Sequence, residues 1–388
     1  MKKYETFRTF FDALTIETGV FFVYIIKGVI LMKKLISLIL SAILLFGASS
    51  SAAFARAVKF RLYTYRDFTY YYRDSDVGVL DYFGTASKVI VPSEIDGKKV
   101  VSFGVLDLKY YYDAGYDYEI THGCCDNKYI EEVSLPDSVT ELGDLSLSCP
   151  RLKKVKLGKG LKKLNPKVFS GCYKLKSLKL PDSLEEFSLD SVSYTDIKKL
   201  YFGKNLKKFK YDCIFDRCNV NSLESVSVSK DNKSFCSQNG ILYNKDKTEL
   251  IYFPEYNKQK SFKVPEKISE IKDGSLSFTG LKSLTLPKKL EKLGKESVCG
   301  NIRLKKLKFT GNKKVKIGKE AFYNCPKLKS VTLPKNVVKI GGEAFGFYET
   351  EGKNGFTEHK LKGFTIKGKK NSAAHKYAQK HGFKFIAI

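Results

Sequence analysis

From Ile130 onward the chain alternates apolar and polar residues in short runs, each closed by a turn. In Leu152-Lys-Lys-Val155-Lys-Leu157 the alternation sets Val155 and Leu157 on one side and Lys154 and Lys156 on the other, as the period of two in a strand requires. The last apolar residue of such a run recurs at Leu135, Leu157, Leu180, Phe202, Val228, Leu286, Phe309, Leu333 and Ile366, and the steps from Leu135 to Phe202 are 22, 23 and 22 residues. A short strand repeated at that step predicts a solenoid, in which each unit buries its apolar edge against its neighbours and length adds stability without a larger globular core. Proline follows the strand at Leu135-Pro136, Leu180-Pro181, Leu286-Pro287 and Leu333-Pro334. Lacking a ladder donor, it ends the strand. A return limb, such as Val338-Lys-Ile340 with Ala344-Phe345, fills the space beneath. Cys149, Cys172, Cys218, Cys299 and Cys325 recur just ahead of the next strand, which gives them a buried, small apolar role.

The flanks and one interruption depart from this pattern. The aromatic stretch Phe68 to Tyr72 and the run from Lys88 through Asp96-Gly97 to Val100 predict strands that cap the open end of the array. From Leu108 to Asn127 the pattern lapses into a tyrosine-rich insertion with Tyr110, Tyr111, Tyr112, Tyr116 and Tyr118. Near 229–261 the period stretches, and Asn239-Gly240 between apolar runs predicts an inserted hairpin. Residues 371–388 switch to helical spacing at Ala373, Ala374, Tyr377 and Ala378, then end in Gly382-Phe-Lys-Phe-Ile, a capping helix and final strand. From Met32 the chain reads Met-Lys-Lys, an apolar run from Leu35 to Phe46, then small residues to Ala55, the three parts of a secretory signal peptide with cleavage expected between Ala55 and Arg56. The run is too short for a spanning helix, which wants about 20 apolar residues. Residues 1–31 read as an upstream extension from a misplaced start. The expected organisation is therefore 32–55 signal peptide, 56–128 N-terminal cap, first repeat and insertion, 129–366 repeat array, and 367–388 C-terminal cap.

With these residues in view, the chain resembles the BspA-like leucine-rich-repeat proteins of bacterial surfaces. The resemblance rests on Lys327-Leu-Lys-Ser-Val-Thr-Leu-Pro334, Ile340-Gly-Gly-Glu-Ala-Phe345, Ile95-Asp-Gly97, the segment Asn232 to Pro254, and the closing element from Ser372 to Phe383, and it covers about residues 60–388. It implies secretion or surface display, binding of protein or matrix, and no catalysis. The fold class expected is mainly β: a leucine-rich-repeat solenoid with a curved parallel β-sheet, an inserted β-hairpin and a short C-terminal capping helix. The chain departs from the family in its lysine richness and its tyrosine insertion, and it shows no carboxy-terminal sorting signal.

Charge adds the one strong compositional signal. Lys and Arg number 69 against 41 Asp and Glu, a formal charge of +28 with a pI near 9.5. Such a balance favours anionic partners through screened long-range fields, while solubilising lysine on a water-facing strand gives the same count. Lysines cluster on the outward side of the strands, so Lys154, Lys156, Lys179, Lys199, Lys306 and Lys308, with Tyr201 beside them, form the candidate binding face. The tyrosines from Tyr110 to Tyr118 form a second candidate contact. Reagents for catalysis are sparse. His122 with Cys124 and Cys125 lacks a fourth ligand at any usual zinc spacing, and Cys213 and Cys218 suit a disulfide only in an oxidising compartment. His375 and His381 fall on different faces of the capping helix and read as solvated. No glycine-rich phosphate loop or nucleophile elbow is present. The function expected is a non-enzymatic, secreted or surface adhesion module for a protein or glycan of a host or neighbouring cell, without cofactor, metal or small-molecule substrate. The alternatives are an electrostatic binder of anionic envelope polymer or extracellular DNA, without specific nucleic-acid recognition, and a polysaccharide-recruiting accessory module.

Overall fold

The structure, a computed structural model, describes residues 62–104, 127–211, 222–352 and 355–388. The leader-like segment, the insertion tyrosines Tyr110 to Tyr118, His122, Cys124, Cys125, Cys213 and Cys218 lie outside the described residues. From Leu62 to Ile388 the chain forms one compact unit, a β-solenoid with two rows of strands. The front row holds the alternating strands of the repeat, and among the described residues there are twelve. They hydrogen-bond in four parallel strips of three. These are Lys88–Ile90, Glu132–Ser134 and Lys154–Lys156; Ser177–Lys179, Lys199–Phe202 and Ser225–Val228; Ser261–Lys263, Ser283–Leu286 and Lys306–Phe309; Ser330–Thr332, Thr365–Gly368 and Lys384–Ala387.

The return limb is itself strand-forming, which the sequence reading did not anticipate. Glu141–Leu142, Lys163–Leu164, Glu270–Ile271, Lys292–Leu293 and Val315–Ile317 build a second parallel row behind the first. Between front and back lie the recurrent apolar residues. Leu180, Phe202, Leu286, Leu333 and Ile366 are buried, and Leu157, Val228 and Phe309 are half-buried against the same core. The proline motif has a second purpose here: the carbonyls of Pro136, Pro181, Pro265, Pro287 and Pro334 accept from the N–H three residues on, closing the turn into the return limb. Where glycine takes the proline's place the turns stack at backbone contact. A Cβ on Gly158 would stand 2.0 Å from the Pro136 carbonyl oxygen.

Each end is closed by a different device. At the first, Leu62–Tyr65, Phe68–Tyr72 and Val77–Tyr82 form an antiparallel meander that joins the back row. Tyr70 and Tyr72 both donate to Asp96 Oδ2, at 2.6 and 2.7 Å, and these bonds hold the exposed Asp96 carboxyl below its usual range. At the other end the helix Ala373–His381 starts at Ser372, whose hydroxyl accepts from the His375 N–H, and stops at Gly382 in the left-handed conformation (φ 69°). Its Tyr377 hydroxyl both receives the Phe345 N–H (2.9 Å) and donates to the Phe345 carbonyl (3.0 Å).

Two insertions interrupt the regular repeat, the first of them joining the back row through Glu249–Tyr252, which pairs with Glu270–Ile271. Phe235–Gln238, Ile241–Asn244 and Glu249–Tyr252 make an antiparallel meander, fixed by the buried Asn232, which donates to the carbonyls of Gly203 and Leu206 and accepts from the N–H groups of Ser234 and Phe235. A hairpin, Phe347–Gly352 with Gly355–Lys360, also projects between front strands Ser330–Thr332 and Thr365–Gly368, which still pair directly. The sequence reading assigned that stretch to the regular array.

The turn that leads back to the front row repeats one small buried position. The N–H of Leu276 bonds to the Ser297 carbonyl, that of Val298 to Ala321, and that of Phe322 to Ala344, so serine and alanine are equivalent there. Ser191, Ser275 and Ser297 are buried, and their hydroxyls find no partner among the described residues. Ser191→Ala, Ser275→Ala and Ser297→Ala are therefore each expected to leave stability unchanged or raise it by up to about 1 kcal/mol. Urea midpoints check this, and a clear drop in any of the three would show that the hydroxyl is satisfied after all.

Candidate binding face

Alternation along the front strands turns two residues of each outward. In the first strip the register aligns Lys88, Glu132 and Lys154 in one row and Ile90, Ser134 and Lys156 in the next. The second aligns Ser177, Lys199 and Ser225, then Lys179, Tyr201 and Ser227. The third aligns Ser261, Ser283 and Lys306, then Lys263, Thr285 and Lys308. The fourth aligns Ser330, Thr365 and Lys384, then Thr332, Lys367 and Ile386. Of these 24 outward positions, ten are lysine and only Glu132 is acidic, so the face carries a surplus of nine positive charges.

The candidate residues fall on this face but not in one ladder. Lys154 and Lys156 close the first strip, whereas Lys179, Lys199 and Tyr201 stand in the second, with Lys179 directly opposite Tyr201. Lys306 and Lys308 close the third. All six lysines and Tyr201 are exposed. None of the six makes an ion pair among the described residues. Of the remaining four, only Lys263 has one, to Glu266 at 3.5 Å.

Several lysines elsewhere are held in ion pairs to carboxylates of the rim and back. On the back row Lys163 pairs with Glu141 (2.9 Å), Lys292 with Glu270 (2.9 Å), Lys272 with Glu249 (3.1 Å), and Lys208 and Lys210 with Glu186. Along the rim of the front row Glu131 holds Arg151 and Lys153, Glu224 holds Lys198 and Lys258, and Asp196 holds Lys176. Lys153, Lys210 and Lys258 keep the carboxyls of Glu131, Glu186 and Glu224 below the usual carboxylate range. Carboxylates are thus spent on the rim and back, and the front lysines are left uncompensated. This partition was missed in sequence, although a signal existed: Glu141 to Lys163 and Glu270 to Lys292 are steps of 22 residues at one repeat position.

The other candidate chemistry resolves into structure. Cys149, Cys172, Cys299 and Cys325 are buried; Cys172 Sγ donates to the Leu147 carbonyl, and burial pushes the Cys325 thiol up to about 12. His375 and His381 are half-buried, each with one face on an aromatic ring. His375 packs on Phe385 with ring centroids 4.5 Å apart, and His381 lies 4.4 Å from Tyr377, where burial lowers its pKa. The aromatic residues of the C-terminal cap draw both rings in. Among the described residues no group of three His, Cys, Asp or Glu side chains is placed to hold a metal ion, and no helix is long and apolar enough to cross a membrane.

Stacked repeats with a buried leucine row, a parallel front sheet and a polar outward face define a leucine-rich-repeat β-solenoid. A model of the BspA-type leucine-rich-repeat region matches residues 118–238 and 250–370 in six copies. The chain belongs to that family. Among solved structures it is similar to a leucine-rich-repeat protein from Eubacterium ventriosum, with 18% identity, 85% of each chain covered and a TM-score of 0.56. Two more distant likenesses are the pneumococcal vaccine antigen PcpA (19% identity, 84% of this chain and 98% of that one, TM-score 0.49) and a leucine-rich cell surface protein from Faecalibacterium prausnitzii (17%, 79% and 88%, TM-score 0.44). No curated protein sequence matches the chain.

Proposed function

We propose that this chain is a secreted or cell-surface adhesion module, without enzymatic activity, that grips a protein or glycan of a host or neighbouring cell through the front face of its repeats and the loops inserted beside it. The observation that carries the reading is the outward front row, where ten lysines stand with one glutamate among them while Glu131 on the rim and Glu141 and Glu270 on the back are held by lysines of their own rows. Leaving like charges unpaired on one sheet face costs stability, and a partner that neutralises them recovers it. Family membership and the leader-like segment from Met32 to Ala55 support export. The test is retention of the full chain on immobilised matrix proteins, glycans and whole cells at physiological salt. Saturable retention is expected, and replacing Tyr201, Lys179 and Lys199 by Ser should weaken it about tenfold. Retention that is indifferent to those changes would place the contact elsewhere.

A further inference from the structure

We infer that the front face takes a linear acidic polysaccharide, one with a carboxylate or sulfate on every disaccharide. The inference rests on the front row being the contact surface and names the ligand for it. Charge comes first. Nine of the ten outward lysines have no ion pair among the described residues, so an incoming anion displaces only water and counterions and breaks no internal pair.

The kind of cation narrows the class. None of the 24 outward positions is arginine and only Tyr201 is aromatic. Planar guanidinium forks for bidentate recognition of carboxylate or phosphate are therefore missing from the face, which leaves anion contact to point charges, and the run of aromatic platforms on which single-stranded bases stack is missing as well. What remains is a set of point charges interleaved with hydroxyls, seven serines and three threonines. Sugars present hydroxyls beside their acidic groups, and this face offers partners for both.

Spacing points the same way. In the first and third strips the lysine strands flank a lysine-free strand: Lys88 and Lys154 with Glu132 between, Lys263 and Lys308 with Thr285 between. Two strand steps are about 9.6 Å. That is the length of two linked pyranose rings, whereas phosphates along one strand of duplex DNA come every ~3.4 Å. A polymer laid across the third strip would meet a cation at each acidic group with Thr285 in between; in the first strip Glu132 takes that middle place.

The experiment measures full-length protein against immobilised chondroitin sulfate and hyaluronan at physiological salt, with duplex DNA and polyphosphate as competitors. One variant carries Lys154→Ser, Lys156→Ser, Lys306→Ser and Lys308→Ser; a second carries Lys163→Ser, Lys208→Ser, Lys292→Ser and Lys316→Ser and has the same net charge. The front variant should bind chondroitin sulfate about tenfold more weakly, with a shallower salt dependence, and the back variant should stay within about twofold of the parent. Glutamine at the same front positions replaces serine should the first variant melt early. Equal losses in the two variants, tighter binding of DNA or polyphosphate than of either glycan, or no glycan binding at all would each overturn the inference. If the front variant still loses its grip on cells or matrix protein in that last case, the contact surface stands and only the ligand is wrong; if it loses nothing anywhere, both readings fall.

Discussion

Phe345→Ala is expected to lower the unfolding free energy by about 3–5 kcal/mol. Phe345 is fully buried and stacks on Phe322 with ring centroids 4.7 Å apart. Its backbone also sits where the array runs out. In earlier turns the equivalent N–H groups bond to the following turn, Val298 to the Ala321 carbonyl and Phe322 to the Ala344 carbonyl. At Phe345 the Tyr377 hydroxyl takes that position, so the helix stands in for the next repeat. Losing the ring opens a cavity against Phe322 and loosens the seat of Tyr377 together. Because a solenoid couples each turn chiefly to its neighbours, the damage should stay in the C-terminal turns. Denaturant titration reads the total, and hydrogen exchange reads its distribution: Val315–Ile317 and Val337–Ile340 should lose protection while Val77–Tyr82 keeps it. A loss below about 1 kcal/mol would show that the cap does not depend on this ring.

Much of this architecture is legible in the sequence because the solenoid is set by local rules. Period two assigns Val155 inward and Lys154 outward, and the step of 22 or 23 residues stacks the units. The inserted meander and the closing helix were legible through Asn239-Gly240 and the spacing of Ala374, Tyr377 and Ala378. The back row was not, because its strands are as short as Glu141–Leu142, and two residues leave no measurable period. The projecting hairpin left a trace that the strand count obscured: from Leu333 to Ile366 is 33 residues, and Gly352 and Gly355 flank its tip. The outward lysines could be placed from alternation alone. Whether each is paired depends on which carboxylate the next turn brings alongside, and the alternation carries no mark of where the front row breaks into strips, although one break falls at the inserted meander.

Between about pH 4.5 and 8 the stability of the fold is expected to fall as pH rises, and Glu255→Gln should flatten that slope. Glu255 lies where the two core clusters meet, next to Tyr211 and the buried Tyr252. Burial pushes its carboxyl from 4.5 up to about 8, against the opposing effect of the Tyr211 hydroxyl, which donates to Oε1 at 3.4 Å. The native state therefore holds this proton after the unfolded chain has released it. With fewer protons on the unfolded state, stability declines with pH across the window: the contribution is complete below 4.5 and is lost as pH rises through about 8. One fully effective group changes stability by about 1.4 kcal/mol per pH unit. Asp81, raised by burial to about 6, acts in the same direction over a narrower range, and His381, lowered by burial from 6.5, acts in the opposite one, so comparison with the variant is what isolates Glu255. The lysine-paired carboxylates Glu131, Glu186 and Glu224 act oppositely, and their contribution is lost only as pH falls through their depressed values. Urea midpoints at pH 5, 6.5 and 8 supply the test. The parent should weaken steadily across the series, and the glutamine variant, which keeps a hydrogen-bonding group without the charge, should be the more stable of the two at pH 8. Parallel slopes in the two proteins would mean that Glu255 reaches solvent when it ionises, and that the junction tolerates the charge.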